Sequence, residues 1–248
     1  MIQILLVSLL LFTSLDAKSI SIAVAANVSY AIKDIKKEFN SIYPDIKVQT
    51  TLGSSGKLTA QISHGAPYDL FMSANMKYPE ALFKSNIAIS RPKVYAKGSL
   101  AILSIKPRDF SQKIDIVKNP NIKRVAIANP KTAPYGIAAF EALKNADLVE
   151  SIKSKFIYGE SISQTLSYTI TAADLGFVAK SLLYTPKMKI YKENINWIEV
   201  DEKLYTPTSQ GVVILRHGEK NPKVTAFYKF LSTKKAQNIF TKFGYKLP

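Results

Sequence analysis

Twice near its start the chain ends an alternating apolar run on small residues and passes directly into a helical pattern. The first run, residues 19–24, ends on Ala25-Ala26-Asn27; the second, residues 46–52, ends on Gly53-Ser54-Ser55-Gly56. A strand that empties into a helix N-terminus leaves backbone N–H groups without intrahelical partners, at the positive end of a dipole worth about half a unit charge. Such a junction belongs to α/β architecture and offers a seat for an anion. Neither segment carries a metal-ligand set or an evident catalytic group. The residues therefore point to holding an anion rather than transforming one.

The same alternation continues along the chain. Helical spacing is expected over residues 29–39, 58–63, 78–83, 137–143, Ile162–Thr171, 224–231 and 235–243. Strands are expected over residues 69–72, 94–96, 100–104, 125–127, Leu175–Ala179 and 211–215. This order predicts an α/β fold with mostly parallel sheets. No repeat, low-complexity tract or long linker interrupts it, so two lobes would be joined by short strands.

Residues 4–12 form an apolar run too short to span a bilayer, followed by Thr13-Ser14-Leu15-Asp16-Ala17. The pattern predicts a signal peptide over residues 1–17, although no Lys or Arg precedes the run. With no cysteine, the chain is expected to lack both disulfides and a lipid anchor, and to work as a free periplasmic protein. The formal net charge is +16, but the lysines are spread over polar helix faces and only four arginines occur, at 91, 108, 124 and 216. That distribution predicts a solvated basic surface with weak anion steering, not a nucleic-acid interface. His64 and His217, each beside a glycine, read as loop residues rather than metal ligands, and Asp69 reads as a structural hydrogen-bonding group at a strand start.

Several blocks, in order, carry a resemblance: Ala23-Val24-Ala25-Ala26-Asn27; Gly53-Ser54-Ser55-Gly56-Lys57-Leu58; Gly65-Ala66-Pro67-Tyr68-Asp69-Leu70-Phe71-Met72-Ser73-Ala74; Asn129-Pro130 with Pro134-Tyr135-Gly136; and Leu175-Gly176-Phe177-Val178. Together they make the chain similar to the periplasmic molybdate-binding proteins of ABC importers, over nearly all of its length after residue 17. The resemblance implies a two-lobed periplasmic-binding-protein fold with two chain crossovers and the ligand in the interlobe cleft. Lobe one would be residues 18–97 and 206–248, and lobe two residues 98–205. It implies a monomer that captures molybdate or tungstate and delivers it to a membrane permease, with no cofactor and no catalysis. The oxyanion ligands it implies are Asn27 and Ser55 on lobe one, with Tyr135 and the backbone N–H of Ile162 on lobe two. These would touch the metal only through the oxyanion's oxygens. Some members carry a ligand Tyr where this chain has Ala179; Tyr135 would supply the phenol from a different loop.

A site made only of donors suits a dianion with four acceptor oxygens and no proton. Hydrogen bonds to a charged acceptor contribute about 1.5–3 kcal/mol each, and roughly seven support tight binding after ordering and desolvation costs. Phosphate keeps a proton at neutral pH and needs an acceptor, which no implied ligand provides as Asp or Glu. Sulfate makes the same donor-only demand and is the alternative oxyanion. An alternative of another class is a serine acyl-transferase or hydrolase: Ser54-Ser55-Gly56-Lys57 fits S-x-x-K, Ser73-Ala74-Asn75 fits S-x-N, and Lys131-Thr132-Ala133 approximates K-T-G. The spacing, with only one strand between the first two, disfavours it.

Overall fold

The computed structural model describes residues 19–248; the expected signal segment, residues 1–17, lies outside them. The elements run β1 (Ser19–Ala25), α1 (Ala31–Ile42), β2 (Lys47–Gly53), α2 (Ser55–Ser63), β3 (Leu70–Ser73), α3 (Lys77–Lys84), β4 (Lys93–Gly98) and β5 (Leu100–Leu103). They continue with β6 (Val125–Ala128), α4 (Pro134–Asn145), α5 (Val149–Ile152), β7 (Phe156–Gly159), α6 (Ile162–Thr171), β8 (Leu175–Ala179) and α7 (Lys180–Leu183). The chain closes with β9 (Trp197–Glu199), β10 (Thr208–Ile214), α8 (Pro222–Phe230) and α9 (Lys234–Lys242).

Two five-stranded sheets form the two lobes, in the orders β2-β1-β3-β10-β4 and β7-β6-β8-β5-β9. The chain leaves the first sheet between Gly98 and Leu100 and returns between Glu199 and Thr208, making two crossovers. The sheets are mixed, not mostly parallel as the pattern predicted. In the first, β1 pairs parallel with β2 and β3, while β10 runs antiparallel to β3 and β4. In the second, β6 pairs parallel with β7 and β8, while β5 runs antiparallel to β8 and β9. The antiparallel strands are those at the crossovers. Hydrophobic periodicity reports burial, not strand direction, so this could not be read from spacing.

The central strands of the first sheet alternate between two cores. Leu70, Met72, Val212 and Ile214 pack with Ile32, Ile35 and Phe39 of α1 and Val224, Phe227 and Phe240 of α8 and α9. Phe71 and Val213 face the other way, onto Leu58 and Ile62 of α2 and Leu82 of α3. That sheet is thus covered on both faces, as the near-continuous apolar runs of its inner strands require. The second lobe has its own core, in which Leu175, Phe177 and Val178 of β8 meet Ala139 and Leu143 of α4 and Leu166 of α6.

Strand order places the functional region. In each sheet an inner parallel strand (β1 or β6) has its sequence successor on one side and a later strand on the other. Ligands of open α/β sheets bind outside the carboxyl ends of strands at such switch points. The carboxyl ends of β1, β2, β3, β6 and β7 all converge between the lobes.

Candidate functional site

A narrow pocket of about 10 Å³ lies at that convergence, lined by residues 25–27, 53–55, 74, 133–135 and 162. Asn27, Ser55, Tyr135 and Ile162, drawn from four separate junctions, therefore meet at one place. Every lining residue is uncharged.

Each junction presents helix-start N–H groups for a local reason. After β1, a short 3-10 turn over Ala26–Val28 begins at once, and Asn27 is 2% exposed. After β2, Ser54 stands at the N-cap of α2 in extended conformation, without capping through its side chain. Its Oγ is buried and has no hydrogen-bond partner. Ser55 Oγ accepts from Ala74 N–H at 2.9 Å, which leaves the serine's own hydrogen free to donate. After β6, Pro134 opens α4 at a position where its missing N–H costs nothing. After β7, Ser161 caps α6 by accepting from Gln164 N–H at 3.3 Å, and Gln164 Oε1 accepts from Glu160 N–H at 2.7 Å. That cap occupies the third N–H of the helix. The first two, on Ile162 and Ser163, lack carbonyls within the helix.

The Asn27 side chain is already engaged. Its Nδ2 is committed within the protein, donating to Gln210 Oε1 at 2.8 Å and to Tyr245 Oη at 2.9 Å. Its Oδ1 is buried without a partner. The donor it has left for an anion is its backbone N–H, not its amide. Tyr135 is 1% exposed, and burial first, then the neighbouring Tyr245, pushes its hydroxyl well above the usual phenol value of 10.0. It stays protonated and able to donate. Ala179 is fully buried at the end of β8.

The lobes also touch directly. Gly56 N–H donates to Thr132 O at 2.8 Å, Ser163 Oγ to Ala26 O at 3.0 Å, and Ser181 Oγ to Asn27 O at 3.2 Å. Lys57 pairs with Glu160 at the rim, both more than half exposed. This ion pair answers the acyl-transferase pattern: the lysine that should activate Ser54 is held by a carboxylate. His217 Nδ1 lies 2.7 Å from Asp69 Oδ1, whose second oxygen accepts from Ser21 N–H at 2.7 Å, so Asp69 ties a strand start as expected. No metal-holding cluster of His, Cys, Asp and Glu occurs among the described residues.

Sequence reasoning passed over Ser54 as a donor and missed the second layer of Gln210 and Tyr245. The visible signal was a carboxamide immediately before the apolar run 211–215, where the strand was expected to begin one residue later.

Residues 20–246 match the family described as bacterial extracellular solute-binding protein. The chain is 37% identical over 240 residues to the molybdate-binding protein ModA of Azotobacter vinelandii, covering 96% of this chain and 94% of that one. It is 34% identical to ModA of Rhodobacter capsulatus, covering 90% and 86%. The solved periplasmic molybdate-binding protein of Azotobacter vinelandii superposes with a TM-score of 0.85 and 28% identity over 92% of this chain and 99% of that one. By their names, these relatives are molybdate-binding proteins. With the sheet orders, the two crossovers and the interlobe pocket, the match over residues 20–246 makes this chain a member of the bacterial extracellular solute-binding protein family.

Proposed function

We propose that the protein is the periplasmic receptor of a molybdate and tungstate importer. The observation that carries this reading is the interlobe pocket: bordered by four helix starts, among residues that offer hydroxyls and backbone N–H groups, and free of charged side chains. Such a site satisfies a bare tetrahedral dianion, and the names of the relatives support molybdate in particular. In this reading the ligands are the hydroxyls of Ser54, Ser55 and Tyr135 with the N–H groups of Asn27, Ser55 and Ile162. The lobes comprise residues 18–97 with 206–248, and residues 98–205. Residues 1–17 direct export, and the mature monomer hands its oxyanion to a membrane permease.

Isothermal titration with molybdate, tungstate, sulfate and phosphate tests the assignment. Tight binding of the first two, weak binding of sulfate and none of phosphate is expected. Heat from sulfate with none from molybdate would reassign the receptor to the smaller oxyanion.

A further inference from the structure

Behind the pocket lies a polar side chain that belongs to none of the motifs. Gln210 sits on β10, the strand by which the chain returns to the first lobe, and is fully buried. Its Oε1 accepts from Asn27 Nδ2 at 2.8 Å. Its Nε2 donates to Thr208 O at 3.0 Å and reaches the Tyr135 hydroxyl at 3.5 Å. Asn27 comes from the first lobe and Tyr135 from the second, so one carboxamide on the crossover touches a jaw of each.

The sense of these bonds is determined. A backbone carbonyl can only accept, so Thr208 turns the Gln210 nitrogen toward itself and the Gln210 oxygen toward Asn27. Asn27 must then present its NH₂, whose second hydrogen goes to Tyr245 Oη at 2.9 Å; Tyr245 in turn donates to Asn27 O at 2.9 Å. The Tyr135 oxygen receives an N–H from Gln210, and the phenol also hydrogen-bonds with the Thr208 side chain, whose Oγ1 donates to Gly98 O at 2.5 Å. Gly98, on the outgoing crossover, completes the cradle: a Cβ there would overlap the Tyr135 hydroxyl and lie 2.9 Å from Gln210 Nε2. Both crossover strands therefore shape the seat of this phenol.

We propose that Gln210 is the positioning residue of the oxyanion grip. By donating to Tyr135 and accepting from Asn27, it holds the phenol in place and fixes the Asn27 turn, tying both jaws to the returning strand. The inference rests on the binding function proposed above and names how that site is held in register.

Two variants test it, with molybdate affinity measured from about pH 6 to about pH 9 and folding followed by circular dichroism. Gln210→Met keeps length and removes both bonds; affinity should fall on the order of tenfold at every pH. Gln210→Glu offers a carboxylate that takes the Tyr135 proton and repels the dianion. Its affinity should fall on the order of a hundredfold at the alkaline end. It should recover as pH drops, because a carboxyl buried with no cation beside it titrates above its usual range and regains a donor when protonated. A merely structural glutamine would not produce that pH profile, given that the wild type is flat. Folded Gln210→Met with wild-type affinity overturns the proposal, as does a flat profile for folded Gln210→Glu. If the wild type binds no oxyanion at all, the receptor function itself falls and takes this inference with it.

Discussion

At the scale of single residues, the site depends on what each group has left to give after its protein bonds are made. Tyr135 has its proton, because burial keeps the phenol neutral. Tyr135→Phe should weaken molybdate binding by about tenfold, the loss of one hydrogen bond to a charged acceptor, while leaving the melting temperature nearly unchanged. Titration calorimetry decides it, and an unaltered affinity would remove the phenol from the ligand set. Gly56 has its bareness. A Cβ there would lie 2.8 Å from Thr132 O, across the closed cleft, and 2.8 Å from the Tyr78 hydroxyl. Gly56→Ala should hold the lobes apart at that edge and weaken binding by about tenfold or more. Its ligand-free melting temperature should stay near that of the wild type, because each lobe keeps its own core. Equal affinity in the alanine variant would show that the rim tolerates a methyl group. Much of this site was legible at the residue scale: small polar residues at strand ends already marked Asn27 and Ser55. The commitment of the Asn27 amide to Gln210 and Tyr245 was not, since those partners lie 183 and 218 residues away.

At the scale of elements, the site is made of helix starts, and their quality depends on caps. The Ser161 and Gln164 pair closes the third N–H of α6 and leaves the first two, one of them on the pocket-lining Ile162, without carbonyl partners in the helix. Ser161→Ala should cost about 1 kcal/mol of stability, and should also weaken binding as the first turn frays around the Ile162 N–H. Denaturant unfolding and calorimetry on the same variant separate the two effects; lost stability with undiminished affinity would mean that the Ile162 N–H is not a ligand. Inner strands were legible because both faces are buried, as in β3 and β8. The strands that spacing did not reveal, β7 and β9, are the outer strands of the second sheet. They run for only four and three residues, and Tyr158 of β7 is half exposed. A short edge strand needs no continuous apolar run, so it leaves little periodic signal.

At the scale of the whole molecule, two lobes meet through polar contacts and through Ala25, Ala26 and Ala74, which pack with the second lobe's core. The tyrosines between them make the assembly sensitive to alkali. Burial pushes Tyr95, Tyr135 and Tyr245 above the usual 10.0, and pushes Tyr205 up to about 12. Above about pH 10 the unfolded chain releases these protons while the folded one retains them, so stability is full below that pH and falls as pH rises beyond it. Tyrosinate absorbance should show a class of phenols that ionises only as the fold is lost. Smooth ionisation of every tyrosine near its ordinary value, with the fold intact, would contradict the buried cluster. The direct bonds between the lobes have a different consequence. Gly56 to Thr132, Ser163 to Ala26 and Ser181 to Asn27 join protein to protein, and none of them requires cargo. The shut conformation is therefore held in part by the protein's own groups, and an oxyanion need not supply every contact that keeps the jaws together. Removing one of these bonds, as in Ser181→Ala, loosens the closed form without touching the cargo, so its cost appears as a faster release rather than as a change in which oxyanion is chosen.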